Sequence, residues 1–104
     1  MISTLDLLKG LVKNGEVRIS MHGYEELAVD NISVRNVVSG LPDAELWEDY
    51  PNFSKGPCVL VLQRDQNGQA IHVVWGISKG TTTPAVLVTA YRPDPKQWTA
   101  DFRS

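Results

Sequence analysis

The chain has 104 residues, enough for one hydrophobic core and too few for two ordinary domains, and its apolar content of 42% with three Trp fits a globular protein. A formal charge of −2 argues against a strongly basic nucleic-acid binder, and a single cysteine, Cys58, excludes an internal disulfide. The charge is uneven, with five basic against nine acidic residues over 1–63 and five against three over 64–104, so the back half can face an anionic partner. Residues 5–12 are too short an apolar run to span a membrane and carry Lys9, and no signal peptide precedes them, so a cytoplasmic protein without a membrane partner is expected.

Ser3-Thr4-Leu5-Asp6 has capping-box spacing with Asp in place of Glu, and Leu5, Leu8, Leu11 and Val12 recur at helical intervals until Asn14-Gly15 closes the helix. Residues 16–19 read as a short strand with Val17 and Ile19 on one side. Ser20 can cap a second helix to Asp30, with Met21, Tyr24, Leu27 and Ala28 as its buried stripe and His22, Glu25, Glu26 and Val29 beside it. Asn31 is a left-handed stop. Ser33 then caps a third helix, in which Val34, Val37, Val38 and Leu41 keep i, i+3, i+4, i+7 spacing and Gly40 marks the end. Residues 43–50 are acidic with Leu46, Trp47 and Tyr50 interspersed, an outer strand, and residues 51–57 form a loop by composition.

Residues 58–77 read as a β-hairpin around Asn67-Gly68, which suits a two-residue type I′ turn. Such a turn sets Leu60 opposite Trp75, Leu62 opposite Val73 and Gln63 opposite His72, and a four-residue loop changes partners but not faces. Cys58, Leu60, Leu62, Ile71, Val73, Trp75 and Ile77 are then expected on the core side, with Val59, Val61, Gln63, Ala70, His72 and Val74 on the back. A polar turn over 78–84 leads to a strand over 85–91, with Val86, Val88 and Ala90 expected in the core and Leu87, Thr89 and Tyr91 on the back beside Gln63 and His72. Arg92-Pro93 ends it. Asp94 as N-cap, Pro95 and Gln97 begin a short C-terminal helix anchored by Trp98 and Phe102. The expected fold is a single α+β domain over 1–104, an antiparallel β-meander with N-terminal helices packed on one face.

Ile19-Ser20-Met21-His22, a helix, Asn31-Ile32-Ser33 and a Val-rich helix, then Ile71-His72-Val73-Val74 in a meander and Val88-Thr89-Ala90-Tyr91-Arg92-Pro93-Asp94-Pro95 together resemble a DUF4258 domain. The resemblance covers roughly 16–100 and leaves the additional helix over 1–15 outside it. That bacterial family of uncharacterised proteins is thought to be similar to RelE/HigB-type toxins. The resemblance therefore implies a RelE-like sheet and metal-independent RNA cleavage in a toxin–antitoxin-type system, with RNA and an antitoxin-like protein as partners. It implies no cofactor and no metal. His22, His72, Thr89 and Tyr91 occupy the matching catalytic positions, and Arg64, Arg92 and Gln63 are the candidates for phosphate or substrate binding.

Such cleavage needs a base for the 2′-hydroxyl, an acid for the departing 5′-oxygen and a cation for the phosphorane. Two histidines and an arginine can fill that list if they converge in one cleft. His22 and Glu26 lie one helical turn apart, yet no zinc-type spacing joins them to His72. Cys58 on the core side is no nucleophile, and the basic surface of ribosome-dependent toxins is weak. A second reading, from another class, is a non-catalytic module whose sheet face around His72 and Tyr91 recognises a protein partner or a small ligand. Trp47 is the aromatic expected to be exposed, and the acids over 45–49 either discourage sheet pairing or dock a basic partner.

Overall fold

In a computed structural model, which describes residues 3–93, three helices cover one face of a five-stranded sheet. Helix α1 spans Thr4–Lys13, strand β1 Val17–Ile19, helix α2 Met21–Val29 and helix α3 Val34–Gly40, followed by a 3-10 turn Leu41–Asp43. Strands β2 Glu45–Tyr50, β3 Cys58–Arg64, β4 Ala70–Gly76 and β5 Ala85–Tyr91 complete the chain. The sheet order is β1-β5-β4-β3-β2. Strands β2 to β5 form the expected antiparallel meander, but β1 pairs parallel with β5, so the sheet is mixed. The C-terminal helix expected from Asp94 lies outside the described residues.

The caps fall where the sequence places them. Ser3, Ser20 and Ser33 each accept a hydrogen bond from the amide three residues on, and Asn31 takes the left-handed stop with φ 53°. Leu5, Leu8 and Leu11 bury the inner side of α1.

Helix α2 is rotated from the expected stripe: Gly23 and Leu27 are buried, whereas Met21 and Tyr24 are 79% and 56% exposed. The cause is a close approach to β5. A Cβ on Gly23 would lie 2.9 Å from both the Leu87 side chain and its carbonyl oxygen, so only glycine lets the helix sit there. Ser20 fixes the rotation, because its N–H donates to Leu87 O at 3.1 Å and its hydroxyl to Val88 O at 3.0 Å.

The hairpin turn has three residues, not two or four. Asp65 N–H donates to Gln69 O at 3.0 Å and Gly68 N–H to Asp65 O at 2.9 Å, with Gly68 at φ 78°. The Asp65 carboxylate takes the amides of Asn67 and Gln69 at 2.8 and 2.9 Å. That side chain holds open a turn that Asn-Gly alone would have closed sooner.

An odd loop reverses the parity of one strand against the other. The observed pairs are Val59↔Trp75, Val61↔Val73 and Gln63↔Ile71, so β4 keeps its expected faces and β3 exchanges its own. Val59, Val61 and Gln63 lie in the core, and Cys58, Leu60 and Leu62 lie on the back. Strand β5 is corrected too. Its register shifts opposite Val74 and Trp75, which makes Val88 a bulge, puts Ala85, Leu87 and Ala90 in the core and leaves Val86, Val88, Thr89 and Tyr91 on the back.

Asp65 also ties the turn to the end of β5 through Arg92, whose Nη1 donates to Asp65 Oδ2 at 3.0 Å. The Gln69 amide, with the Arg92 guanidinium and the Asn67 amide, holds the carboxyl below its ordinary value against the opposing effect of burial. A depressed folded value adds stability above the unfolded carboxylate range near about pH 4, and that contribution is lost as pH falls through the folded value. Asp65→Asn is therefore expected to be less stable at neutral pH and to flatten the acid limb of the stability curve. Urea unfolding of both proteins between about pH 2 and 7 checks it; parallel curves would count against the assignment.

Candidate functional site

The back of the sheet is free of helices among the described residues: α1, α2 and α3 all pack on the side of Val59, Val61, Trp75 and Leu87. Two bulges shape this open face. The one in β5 turns both Val88 and Thr89 toward the back, pinned by the Ser20 hydroxyl. The other, in β2, comes where the register shifts between Leu46 and Glu48, with Trp47 as the extra residue. Bulges re-aim side chains locally, so each adds a residue to a face that strict alternation would deny it.

One end of the face is an aromatic cluster. His72 is fully buried there, with the Trp47 ring edge-on at 4.7 Å, the Tyr91 ring edge-on at 5.3 Å, and His72 Nδ1 3.2 Å from the Tyr91 hydroxyl. Burial pushes the imidazole below its ordinary value, so it is neutral at pH 7. Burial, with the Glu48 carboxylate second, pushes the Tyr91 phenol up. Trp47, expected to be exposed, is half-buried in this cluster.

At the other end lies an open apolar hollow of about 400 Å³, whose floor is Cys58, Leu60, Val74, Val86 and Val88. Tyr50, Phe53 and Lys55 rim it. The loop carrying Phe53 is laced down by main-chain bonds, Ile77 N–H to Pro57 O and Lys79 N–H to Lys55 O, both at 3.0 Å. Gly56 permits this with φ 124°, since a Cβ would lie 2.0 Å from Ile77 O. Cys58, expected in the core, is half-buried in the hollow, and burial, with Asp49 second, raises its thiol pKa. That thiol is protonated and a poor nucleophile at neutral pH.

The expected site residues divide. His72, Thr89 and Tyr91 share the back face, paired as His72↔Tyr91 and Val74↔Thr89. His22 lies across the sheet from them, on α2, with its side chain 62% exposed and 3.5 Å from Glu26. The two histidines do not converge. Gln63 is in the core, donating to Val37 O at 2.8 Å and accepting from Trp75 Nε1 at 2.9 Å. Arg92 is engaged by Asp65 and Asp30, and Arg64 by Gly68 O at 3.1 Å, beside a second hollow that also holds Asp43 and Glu45. An acidic hollow repels phosphate.

The model of a family described as a domain of unknown function, DUF4258, matches residues 19–92. The chain belongs to the DUF4258 family. The DUF4258 region runs from the end of β1 to Arg92 and contains the whole of β2 to β5, whereas α1 lies before residue 19. A search of curated proteins and of solved structures found no significant match. No group of three His, Cys, Asp or Glu side chains able to hold a metal occurs among the described residues, and none of their helices is long and apolar enough to cross a membrane.

Sequence reasoning missed the hollow of this DUF4258 domain because it assigned Cys58, Leu60 and Val88 to the core. The available signal was the turn: Asp at the first corner can take two downstream amides and so favours a longer loop than Asn-Gly alone.

Proposed function

We propose that this DUF4258 domain is a binding module whose back face takes an apolar segment of a protein partner, flanked on the partner by basic residues. The observation that carries this reading is the open apolar hollow beside an exposed acidic edge strand. Its volume of about 400 Å³ falls in the range of ordinary binding pockets, and Phe53 and Val88 are 51% and 37% exposed within it. Glu48 and Asp49 are exposed on β2, paired with Leu60 and Val59, and a partner carrying Lys or Arg meets those acids beyond the rim. Among the described residues, Lys55 is the one cation that lines the hollow.

A toxin-like ribonuclease of RelE/HigB type is the second reading, and the His72–Tyr91 pair with Thr89 on one face is the geometry in its favour. Against it weigh the complete burial of His72, the location of His22 on the helical layer and the engagement of the Arg92 guanidinium by the Asp65 carboxylate and the Asp30 carbonyl. A base that substrate cannot touch and a clamp already neutralised leave the phosphorane unsupported.

Selection of segments from a random peptide display on the purified domain tests the binding reading. Recovered segments should share bulky apolar residues next to Lys or Arg, and Val88→Asp on the floor or Phe53→Ser on the rim should weaken them at least about tenfold without unfolding the protein, as expected for bulky residues that line the contact. Expression in bacteria should leave growth and total RNA intact. Growth arrest and RNA cleavage by purified protein, both abolished by His72→Ala in a folded variant, would instead establish the ribonuclease.

A further inference from the structure

Charge changes sign along the hollow of the back face. Lys55 lines it and is exposed in the loop between β2 and β3, and Lys79, also exposed, is held at the same end by its N–H, which donates to Lys55 O at 3.0 Å. Neither ammonium pairs with a carboxylate among the described residues. Glu48 lies on β2 opposite Leu60, where its carboxylate accepts from the Tyr50 hydroxyl, and Asp49 lies opposite Val59. Tyr50 pairs with Cys58, so the order along the β2–β3 ladder is the acids, then the tyrosine, then the loop with its lysine.

The same loop limits what can lie at the basic end. It crosses the end of β4, where the Gly56 backbone sits against Ile77 O with no room for a Cβ and Pro57 O accepts from Ile77 N–H at 3.0 Å. A segment running on past Lys55 would have to climb over this loop. A chain end would not. The free carboxyl end is a negative charge that a polypeptide carries whatever its sequence, and its capture is a recurring mode of peptide recognition. Given the binding reading above, on which this rests, we propose that the partner segment enters the hollow by its carboxyl end: its last side chain, apolar, rests on Leu60, Val74 and Val88, its terminal carboxylate lies at the Lys55 and Lys79 ammonium groups, and the basic residues before it lie toward Glu48. Beside an apolar floor such an ion pair is screened less than one in open solvent.

Segments selected from a library displayed with free carboxyl ends test this when each is synthesised both as the acid and as the carboxyl amide and titrated into the full-length protein. The acid should bind at least about tenfold more tightly than the amide, the scale of one charge-assisted contact. The double variant Lys55→Gln, Lys79→Gln should bring the two to equal affinity by weakening the acid alone, whereas Val88→Asp should weaken both. The comparison of acid with amide uses the unaltered chain, so it decides the question even if a variant fails to fold. Equal binding of acid and amide, with Val88→Asp still weakening both, would sink the carboxyl-end proposal and leave the binding reading standing. A library that yields no binding segment would overturn both. An acid preference that survives the double lysine variant would place the carboxylate elsewhere and so refute the proposal.

Discussion

Gln63→Leu is expected to lower the unfolding free energy by about 2–4 kcal/mol, although leucine is apolar, of similar size and placed in a hydrophobic core. Gln63 is 2% exposed and makes two buried hydrogen bonds that join the sheet to α3: it accepts from Trp75 Nε1 and donates to Val37 O. Val37 O belongs to the last turn of α3, where the Leu41 N–H turns to Val38 O instead, so the glutamine amide acts as a cap from outside the helix. Gly40 makes room for it, since a Cβ there would lie 3.0 Å from Gln63 Nε2. Leucine leaves the indole N–H and the carbonyl buried without these partners, and each such group costs about 1–3 kcal/mol.

Urea unfolding of the variant should shift the midpoint with little change in slope. The double variant Gln63→Leu, Trp75→Phe removes the indole donor along with its acceptor, so its loss should fall short of the sum of the single losses by about 1 kcal/mol or more. A neutral Gln63→Leu, or strict additivity, would mean that the pair contributes nothing to the fold.

Most of the architecture was legible because local rules and tertiary packing agree. Three serine caps, the stop at Asn31, the inner face of α1 and the burial of Ile71, Val73 and Trp75 in β4 all follow from residue type and spacing. What failed depends on parity or on a close approach. Apolar residues occupy both faces of β3, with Val59 and Val61 on one and Leu60 and Leu62 on the other, so alternation could not say which pair faces the helices. In α2, a buried glycine rather than a large apolar residue marks the contact line, and hydropathy is blind to that. The candidate site inherits both errors. His72, Thr89 and Tyr91 fall on one face as expected, yet Gln63 leaves it and the apolar hollow takes its place.

Deleting Gln66 is expected to cost only about 1–2 kcal/mol, the loss of hydrogen bonds that the Asp65 carboxylate makes in the present turn. Gln66 is exposed at the tip of the hairpin. Its removal leaves Asn67-Gly68 as a two-residue loop between Asp65 and Gln69, the I′ turn that this dipeptide favours. Asp65 then still faces Gln69 and Arg64 still faces Ala70, so Val59, Val61 and the Gln63 amide stay on the helix side and the bonds to Trp75 and Val37 are kept. What changes is the turn itself, where the shorter loop disturbs the Asp65 carboxylate's bonds to the amides of residues 67 and 69 and pulls on the Arg92 bridge.

Register is strongly specified wherever one face is buried, so the change of loop length is absorbed in the turn and not in the strands. Thermal or urea unfolding followed by near-ultraviolet circular dichroism, which reports on buried Trp75, checks the prediction. A Gln66→Ala control should unfold within about 0.5 kcal/mol of the parent, as exposed substitutions do. A deletion that removed most of the folding stability, which for a domain is only about 5–15 kcal/mol, and changed the Trp75 signal would mean that the three-residue turn held by Asp65, and not strand packing, decides which side of β3 faces the helices.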